Sequence, residues 1–432
     1  MELMIALLIL IITLIFGVPV PFVFLITTIF LVVSLGYDPS FLIPYGFSKL
    51  DNIVLLAIPL FIIAGGLMDK GGIARRIVDF TEIFFGKVKG GLGIVTVVAC
   101  VIFGAISGSG AAALTSMGPI LLPRLQKKGY SKGFATALIT NASILGLLIP
   151  PSALMILYAW VGNQSVLASF LSTVIPGLIL ATLLCIINYI YMRRNDFKDE
   201  SSNEISVPIG SRLRKSGISA TPGLLMPIVV LGGIYGGIMT PTEAAAVAAL
   251  YAIPVGFWIY KELNKKTFYT TLVESATTTG VIMVMIFSMM LLSRIFIMED
   301  VPGLLTNFLL SITENTFLLL LMINIFILII GMLMDDVSAV LLCTPILLPV
   351  VINLGVDPIH FAAIIGVNLG MGLLTPPTAP LLYLGSRVGK TSIKDIIGPA
   401  LLMLLFAWLP TLLLTTYFPE LVLFLPKLIL GN

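Results

Sequence analysis

Charged side chains are scarce in this chain: 10% of its 432 residues are Asp, Glu, Lys or Arg, against 58% hydrophobic. A soluble domain is near a quarter charged, so this composition excludes a water-facing surface over most of the molecule and puts the chain in a lipid bilayer. Histidine occurs once, at His360, and cannot build a metal site alone. Cys100, Cys185 and Cys343, the only cysteines, all lie inside apolar runs, which argues against a disulfide framework and for buried core positions. Enzyme motifs are missing as well: there is no GxxxxGKS/T loop, no HExxH and no CxxC, so ATP-driven pumping by this chain has no support. The string Gly-Ala-Ile-Ser-Gly-Ser-Gly at 104–110 has the look of a nucleophile elbow but neither strand context nor a second histidine. Nothing in the sequence points to nucleic acid.

What the chain has in quantity is glycine (39) and proline (26), as membrane helices tolerate when neighbours satisfy the freed backbone groups. Apolar runs of spanning length lie at 2–17, 19–36, 51–68, 165–192, 222–240, 242–260, 274–297 and 395–418. Met1–Phe16 has no basic segment before it and a second apolar run directly after, so it reads as a first span and not as a cleaved signal peptide. Basic residues orient the spans, because short cytoplasmic loops collect Lys and Arg. Arg193, Arg194, Lys198, Arg212, Arg214 and Lys215 place the 193–220 linker in the cytoplasm. Three further inside segments carry Lys70, Arg75, Arg76, Lys87 and Lys89; Arg124, Lys127, Lys128 and Lys132; and Lys261, Lys265 and Lys266. The stretch 37–50, with one Lys, is outside.

Pro-Ile-Leu-Leu-Pro occurs twice, at Pro119–Pro123 and Pro345–Pro349, and Gly129 and Gly355, then Pro150-Pro151 and Pro376-Pro377, follow at the same 226-residue offset. A constant offset across the block means duplicated halves: a first repeat at 1–192, the linker at 193–220 and a second repeat at 221–432. Two inside segments flank 90–125, which must enter and leave by one face. Its arms of about 15 residues reach roughly 23 Å, too short to span, so it reads as a re-entrant hairpin turning at Ser107–Gly110 and opening inward. The equivalent block at 317–352 has acidic flanks and is expected to open outward, although Phe317–Met334 alone is long enough to span. Five crossings between the hairpins invert the second repeat, as in alternating-access carriers. The fold class is therefore an all-α polytopic membrane protein with inverted repeats, two re-entrant helical hairpins, and Pro-broken helices at about 131–160 and 358–386.

Backbone breaks at membrane depth survive only against protein or a watery cavity, and four are expected: Ser107–Gly110, Leu147–Ser152, Met334–Val337 and Leu374–Thr378. Hydroxyls and freed carbonyls there suit a small hard cation, and half-helix N-termini suit an anion, so each pairing of a hairpin turn with a Pro-Pro break suits sodium beside a carboxylate. The first sodium site is expected at Ser107, Gly108, Ser109, Asn141 and Pro150, and the second at Gly331, Asp335, Asn368, Thr375 and Pro376. Substrate contacts are expected from Ser107, Ser109, Ser152, Asp336 and Thr378, with sodium the only metal and no cofactor. Asn141 and Asn368 otherwise read as interhelical hydrogen-bonders. Glu243 after Thr242 reads as a helix start, Arg294 as an interfacial snorkelling side chain, and His360 as interfacial.

At this point the residues resemble a known family. Leu56-Ala57-Ile58-Pro59-Leu60-Phe61 with Ala64-Gly65, Ala74-Arg75-Arg76, Gly104-Ala105-Ile106-Ser107-Gly108-Ser109, Gly129-Tyr130-Ser131, Ile149-Pro150-Pro151-Ser152, Thr240-Pro241-Thr242-Glu243-Ala244, Asp357-Pro358-Ile359-His360-Phe361 and Thr375-Pro376-Pro377 are similar, in order and spacing, to the large membrane subunit of tripartite ATP-independent periplasmic (TRAP) transporters, the DctM/SiaM type. The resemblance implies a scaffold and a mobile transport domain working as an elevator, sodium coupling, and location in a bacterial inner membrane. It also implies a small four-helix membrane subunit and a periplasmic binding protein delivering an organic acid such as a C4-dicarboxylate or sialic acid. The first turn departs from relatives that continue Ser-Gly-Ser-Ser with a nearby Asp: here Ser109-Gly110 runs into Ala111, Ala112, Ala113 and Leu114. The start at Met1 favours a separate small subunit over a fused one. Two rivals are a stand-alone sodium-coupled dicarboxylate or citrate carrier and an intramembrane enzyme using Asp335 and Asp336. Adjacent helical residues point about 100° apart, which suits a carboxylate dyad poorly.

Overall fold

The computed structural model describes residues 1–86, 88–194 and 209–431, which contain helices and no strand. Two apolar helices, α1 (Glu2–Ile15) and α2 (Val20–Leu35), open the chain, followed by the short α3 (Leu42–Leu50) and by α4 (Ala57–Lys70). In α5 (Ile73–Phe85), Ile73, Ile77, Val78 and Thr81 make one buried stripe while Arg75 and Phe84 stay exposed, the pattern of a helix lying on a surface. Next, α6 (Gly91–Ser107) and α7 (Gly110–Lys127) pack on each other as a hairpin. Three pieces, α8 (Lys132–Ser143), the single turn α9 (Leu145–Leu148) and α10 (Ala153–Val161), form one segment bent by 41° at 149–152. The 29-residue α11 (Val166–Arg194) closes the first half.

The second half repeats this order. Helices α12 (Ile209–Tyr235), α13 (Pro241–Pro254), α14 (Lys265–Met298) and the short α15 (Val301–Ile312) lead to a second hairpin, α16 (Thr316–Leu333) and α17 (Asp336–Asn353). A second broken segment follows, α18 (Pro358–Gly372) and α19 (Pro380–Gly389). Then α20 (Ile393–Met403) runs through a π-turn into α21 (Leu409–Tyr417), and α22 (Pro419–Leu430) ends the described chain. The 226-residue offset reappears in the helix starts, at 110 and 336 for α7 and α17 and at 132 and 358 for α8 and α18. Their caps correspond too: Ser109 and Asp335, and Ser131 and Asp357, each accept a backbone N–H of the following first turn.

The two halves interlock. Helix α2 packs on α14 and its counterpart α13 on α4; α7 packs on α19 and its counterpart α17 on α10; α8 packs on α20 and its counterpart α18 on α11. Each half thus lends helices to both of two groups, one built around α2, α4, α13 and α14, the other around the hairpins and broken segments. Helix α5 bridges them. Arg76 reaches Glu262 at 2.8 Å and stacks 3.8 Å over the Tyr260 ring, while Arg124 at the end of α7 holds Asp79 at 2.7 Å and Glu82 at 2.8 Å.

Several expectations change. Helices take up both ends of the expected 193–220 linker, because α11 continues through Arg194 and α12 starts at Ile209. Lys87, Lys198 and the side chains of Arg212, Arg214 and Lys215 lie outside the described residues. The stretch 37–50 contains α3, whose Leu42 and Gly46, one turn apart, are buried against α14. Thr240, not Thr242, caps α13: its hydroxyl accepts from the Glu243 amide at 3.3 Å while the Glu243 carboxylate accepts from the Thr240 amide at 2.8 Å. Pro241 takes the first helical position, which moves the cap one residue earlier and leaves Thr242 to donate to the Ile53 carbonyl. His360 packs within the protein: the first turn of α18 points it inward, 4% exposed, with Nε2 2.7 Å from the Thr415 carbonyl. Cys100 and Cys343 are buried as expected and Cys185 is half-buried.

Backbones approach most closely where glycine faces glycine, as is usual between membrane helices. A Cβ added to Gly104 would stand 2.5 Å from the Gly146 Cα, and one added to Gly372 would stand 2.7 Å from the Gly331 carbonyl carbon. Gly104→Ala and Gly372→Ala are each expected to cost about 1–3 kcal/mol through forced separation of packed backbones. Gly232→Ala, which meets nothing within 4 Å on α12, should be neutral or slightly stabilising. Thermal unfolding of the purified protein in detergent checks all three, and equal melting temperatures for the first two and the unsubstituted protein would refute the close-packing account.

Candidate functional site

Ser107 ends α6, Gly108 turns the chain in the left-handed region at φ 60°, and Ser109 starts α7. Only glycine suits this turn: its φ is positive, and a Cβ there would lie 2.7 Å from the Pro151 carbonyl oxygen. The hairpin tip is therefore seated in the first Pro-Pro break. Gly146 packs beside the Ser109 carbonyl, and Gly65 of α4 covers Ser107 from the other helix group. Ser107 and Ser109 make only long hydrogen bonds of 3.4 Å, to the Ser109 carbonyl and from the Ala112 amide, so both oxygens keep most of their bonding capacity. Ser152 is fully buried and its hydroxyl has no partner. A buried orphan of this kind costs about 1–3 kcal/mol; Tyr235, Thr279 and Thr344 carry others among the described residues, but Ser152 is the one at the first break. Asn141 is fully buried and engaged at both ends: its Nδ2 donates to the Ala137 carbonyl at 2.8 Å and its Oδ1 accepts from Trp408 Nε1 at 3.1 Å.

The second tip repeats the arrangement with different chemistry. Gly331 near the end of α16 packs against Gly372, and the Thr378 hydroxyl donates to the Met332 carbonyl, so this hairpin meets the break that holds Pro376-Pro377. Asp335 caps α17, accepting from the Val337 amide at 3.2 Å, the Ser338 amide at 3.3 Å and the Ser338 hydroxyl. With that carboxylate committed to the cap, Asp335 and the half-buried Asp336 do not make a dyad. Thr375 donates to the Met371 carbonyl at 2.8 Å and keeps its lone pairs. Asn368 Nδ2 donates to the Asn324 carbonyl at 2.9 Å and Oδ1 at 2.8 Å, and Asn324 in turn donates to Thr416 at 3.0 Å. The fully buried Asn368 Oδ1 is left without a partner.

Each of the two sites thus joins one hairpin tip and one Pro-Pro break; the unpartnered Ser152 hydroxyl lies in the first break, whereas the unpartnered Asn368 Oδ1 lies further back on α18, beside Asn324. The two sites stand back to back, since Ile144 meets both Gly110 of the first hairpin and Gly370 of the second broken segment. Among the described residues no cluster of His, Cys, Asp and Glu suits a transition metal. The oxygens present are hydroxyl, amide and carbonyl, joined at the second tip by the Asp335 and Asp336 carboxylates, all of which suit a hard cation. The amide ends of α7, α10, α17 and α19 around the breaks suit a carboxylate. Sequence reading missed Asn324, Trp408 and the Gly104–Gly146 contact. Asn324 had a signal, as the lone amide inside the apolar run of α16; Trp408 had none, because its link to Asn141 crosses 267 residues.

Comparison with known proteins agrees with this architecture. Residues 7–421 match the family described as the tripartite ATP-independent periplasmic transporter, DctM component. The isethionate TRAP transporter permease protein DctMQ of Oleidesulfovibrio alaskensis is 35% identical over 95% of this chain, which spans 64% of that protein's length. The C4-dicarboxylate TRAP transporter large permease protein DctM of Pseudomonas aeruginosa is 35% identical over 88% of each chain. In three dimensions the YdaH transporter of Alcanivorax borkumensis, at 15% identity, shares the fold with a TM-score of 0.63 over 87% of this chain and 86% of its own. With a family match across almost its whole length and the duplicated hairpins and breaks in place, this multi-pass membrane chain belongs to the DctM component family of TRAP transporters.

Proposed function

We propose that the chain is the large membrane subunit of a sodium-coupled importer of a small organic acid. One observation carries the reading: each hairpin tip is seated in a Pro-Pro break, with the unpartnered Ser152 Oγ in the first break and the unpartnered Asn368 Oδ1 on the helix that leads into the second. A sodium ion at the first pairing would satisfy Ser152 Oγ together with the Ser107 and Ser109 hydroxyls and nearby carbonyls, and an ion along the second broken segment would draw on Asn368 Oδ1 or on Thr375 and the carbonyls of the break. Ion binding would then favour the closed tips, and the half-helix amide ends would hold the substrate carboxylate between them. Ser152, Asp336 and Thr378 are the substrate-facing candidates. Relatives named for C4-dicarboxylate and isethionate both carry small organic anions, which supports that substrate class. On this reading the hairpin group moves as an elevator against the α2, α4, α13 and α14 group in a bacterial inner membrane. A small four-helix subunit and a periplasmic binding protein act as its partners, and sodium alone serves as coupling ion, with no cofactor.

Reconstituted complex given only an inward sodium gradient should accumulate succinate or isethionate, and equal uptake in potassium would sink the sodium reading. Uptake with no binding protein present would favour a stand-alone carrier instead. Ser152→Ala and Asn368→Ala should each raise the sodium concentration for half-maximal transport by roughly tenfold, the loss of one ligand worth about 1.4 kcal/mol. Unchanged sodium dependence in both variants would make the two oxygens structural.

Accessibility of the two tips should be reciprocal. Single cysteines at Ser109 and Asp336, in protein with Cys100, Cys185 and Cys343 replaced by alanine, report the two mouths. An impermeant thiol reagent should reach the first from the basic-loop side in one state and the second from the opposite side in the other, with sodium plus substrate protecting both. Labelling of both positions from one face at once would overturn alternating access.

A further inference from the structure

Away from the hairpin tips, a cavity of about 540 Å³ opens between the two helix groups. One wall is the last turn of α3 and the residues after it, with Ser48, Lys49 and Asn52; the other is the end of α10 and its connection to α11, with Trp160, Asn163 and Gln164. This is the face away from the basic loops, because Arg193 and Arg194 sit at the far end of the 29-residue α11, roughly 40 Å along its axis. Lys49 is the one charged lining residue, and no acid lines the cavity. Among the described residues its ammonium has no carboxylate within ion-pair distance; its neighbour is the Tyr45 ring at 5.5 Å, which Arg294 also approaches, at 5.4 Å. The Asn52 Oδ1 is taken by the Val54 amide at 2.9 Å, which leaves its NH₂ to donate. Asn163, held in the left-handed region at φ 51°, makes no side-chain hydrogen bond.

We propose that this recess is a staging site for a small organic anion, reached before the hairpin tips, with Lys49 anchoring a carboxylate or sulfonate and the amides of Asn52 and Asn163 donating to it. An unpaired cation with amide donors and no competing acid, in a partly enclosed cleft, concentrates anions by focusing its field. The volume lies in the range of small-molecule pockets. Because the walls belong to different helix groups, occupancy is tied to how those groups stand. The ligand class rests on the carrier reading above; the recess does not.

The test uses the full chain in nanodiscs, in sodium-free choline buffer, with Trp258→Phe to remove an exposed reporter on α13's π-turn. Titration with succinate or isethionate should give a saturable change in Trp160 fluorescence, and dimethyl succinate should give none. Trp160→Phe should abolish the response. Lys49→Gln should weaken binding about tenfold, as expected for one charge-assisted contact, and Lys49→Arg should keep it within about threefold. Unaltered elution and melting temperature certify the folding of these exposed-site variants. The proposal fails if neither anion gives a response, if Lys49→Gln titrates like the parent, or if the diester responds equally. It also fails if the response needs sodium and vanishes in Ser152→Ala, which would report the hairpin site, or if only an acidic partner protein elicits it. Loss of sodium-driven uptake with this titration intact would count against the carrier reading and leave the recess an anion site.

Discussion

The structure depends on one constraint: a backbone interrupted inside lipid must have its freed amides and carbonyls covered by protein, at a cost of several kcal/mol for each one left bare. Four interruptions occur here, and the fold answers them in pairs by seating each hairpin tip in the break of the following segment. Gly108 lies against the Pro151 carbonyl, and Thr378 hydrogen-bonds the Met332 carbonyl. Glycine is required at 108 because the approach there is backbone to backbone, whereas the second contact is made by a side chain. The oxygens left over, on Ser152 and Asn368, are then conspicuous because almost everything around them is satisfied.

Duplication alone would give two similar lobes side by side. The exchanged packing of α2 with α14 and α13 with α4, and of α7 with α19 and α17 with α10, instead distributes each half over both helix groups. The repeats therefore supply a symmetric frame, while substitutions within it differentiate the two sites. Asn141 is tied to Trp408, whereas Asn368 is tied to Asn324 and keeps a free acceptor. Likewise Ser109 and Asp335 hold the same capping position with a neutral and an acidic group. Two tip-and-break pairings built on one plan thus carry different side-chain chemistry.

Between the helix groups the contacts change character. Helix α5 joins them through half-exposed ion pairs, Arg76 with Glu262 and Arg124 with Asp79 and Glu82, each worth about 1 kcal/mol or less in such surroundings. Contacts of that strength position the hairpin without freezing it. On the opposite face the groups leave an open recess in place of a sealed apolar seam.

Much of this architecture was already legible in composition and repetition. Six of the eight expected apolar runs coincide with helices of spanning length, while those at 2–17 and 19–36 hold shorter helices and both arms of the second hairpin are themselves long enough to cross; the 226-residue offset located both hairpins and both breaks, because proline and glycine interrupt helices locally. Ser107, Ser109, Ser152, Asn368, Thr375 and Thr378 could be gathered from that pattern alone. Local chemistry misled where a neighbour decided the outcome: with Pro241 in the first helical position, Thr240 took the cap expected of Thr242. Tertiary structure alone decided which oxygens remain free, since that depends on partners such as Trp408 and Asn324 hundreds or tens of residues away. Hydrogen bonds between distant segments leave no periodic trace in a sequence, whereas burial length and backbone interruption do.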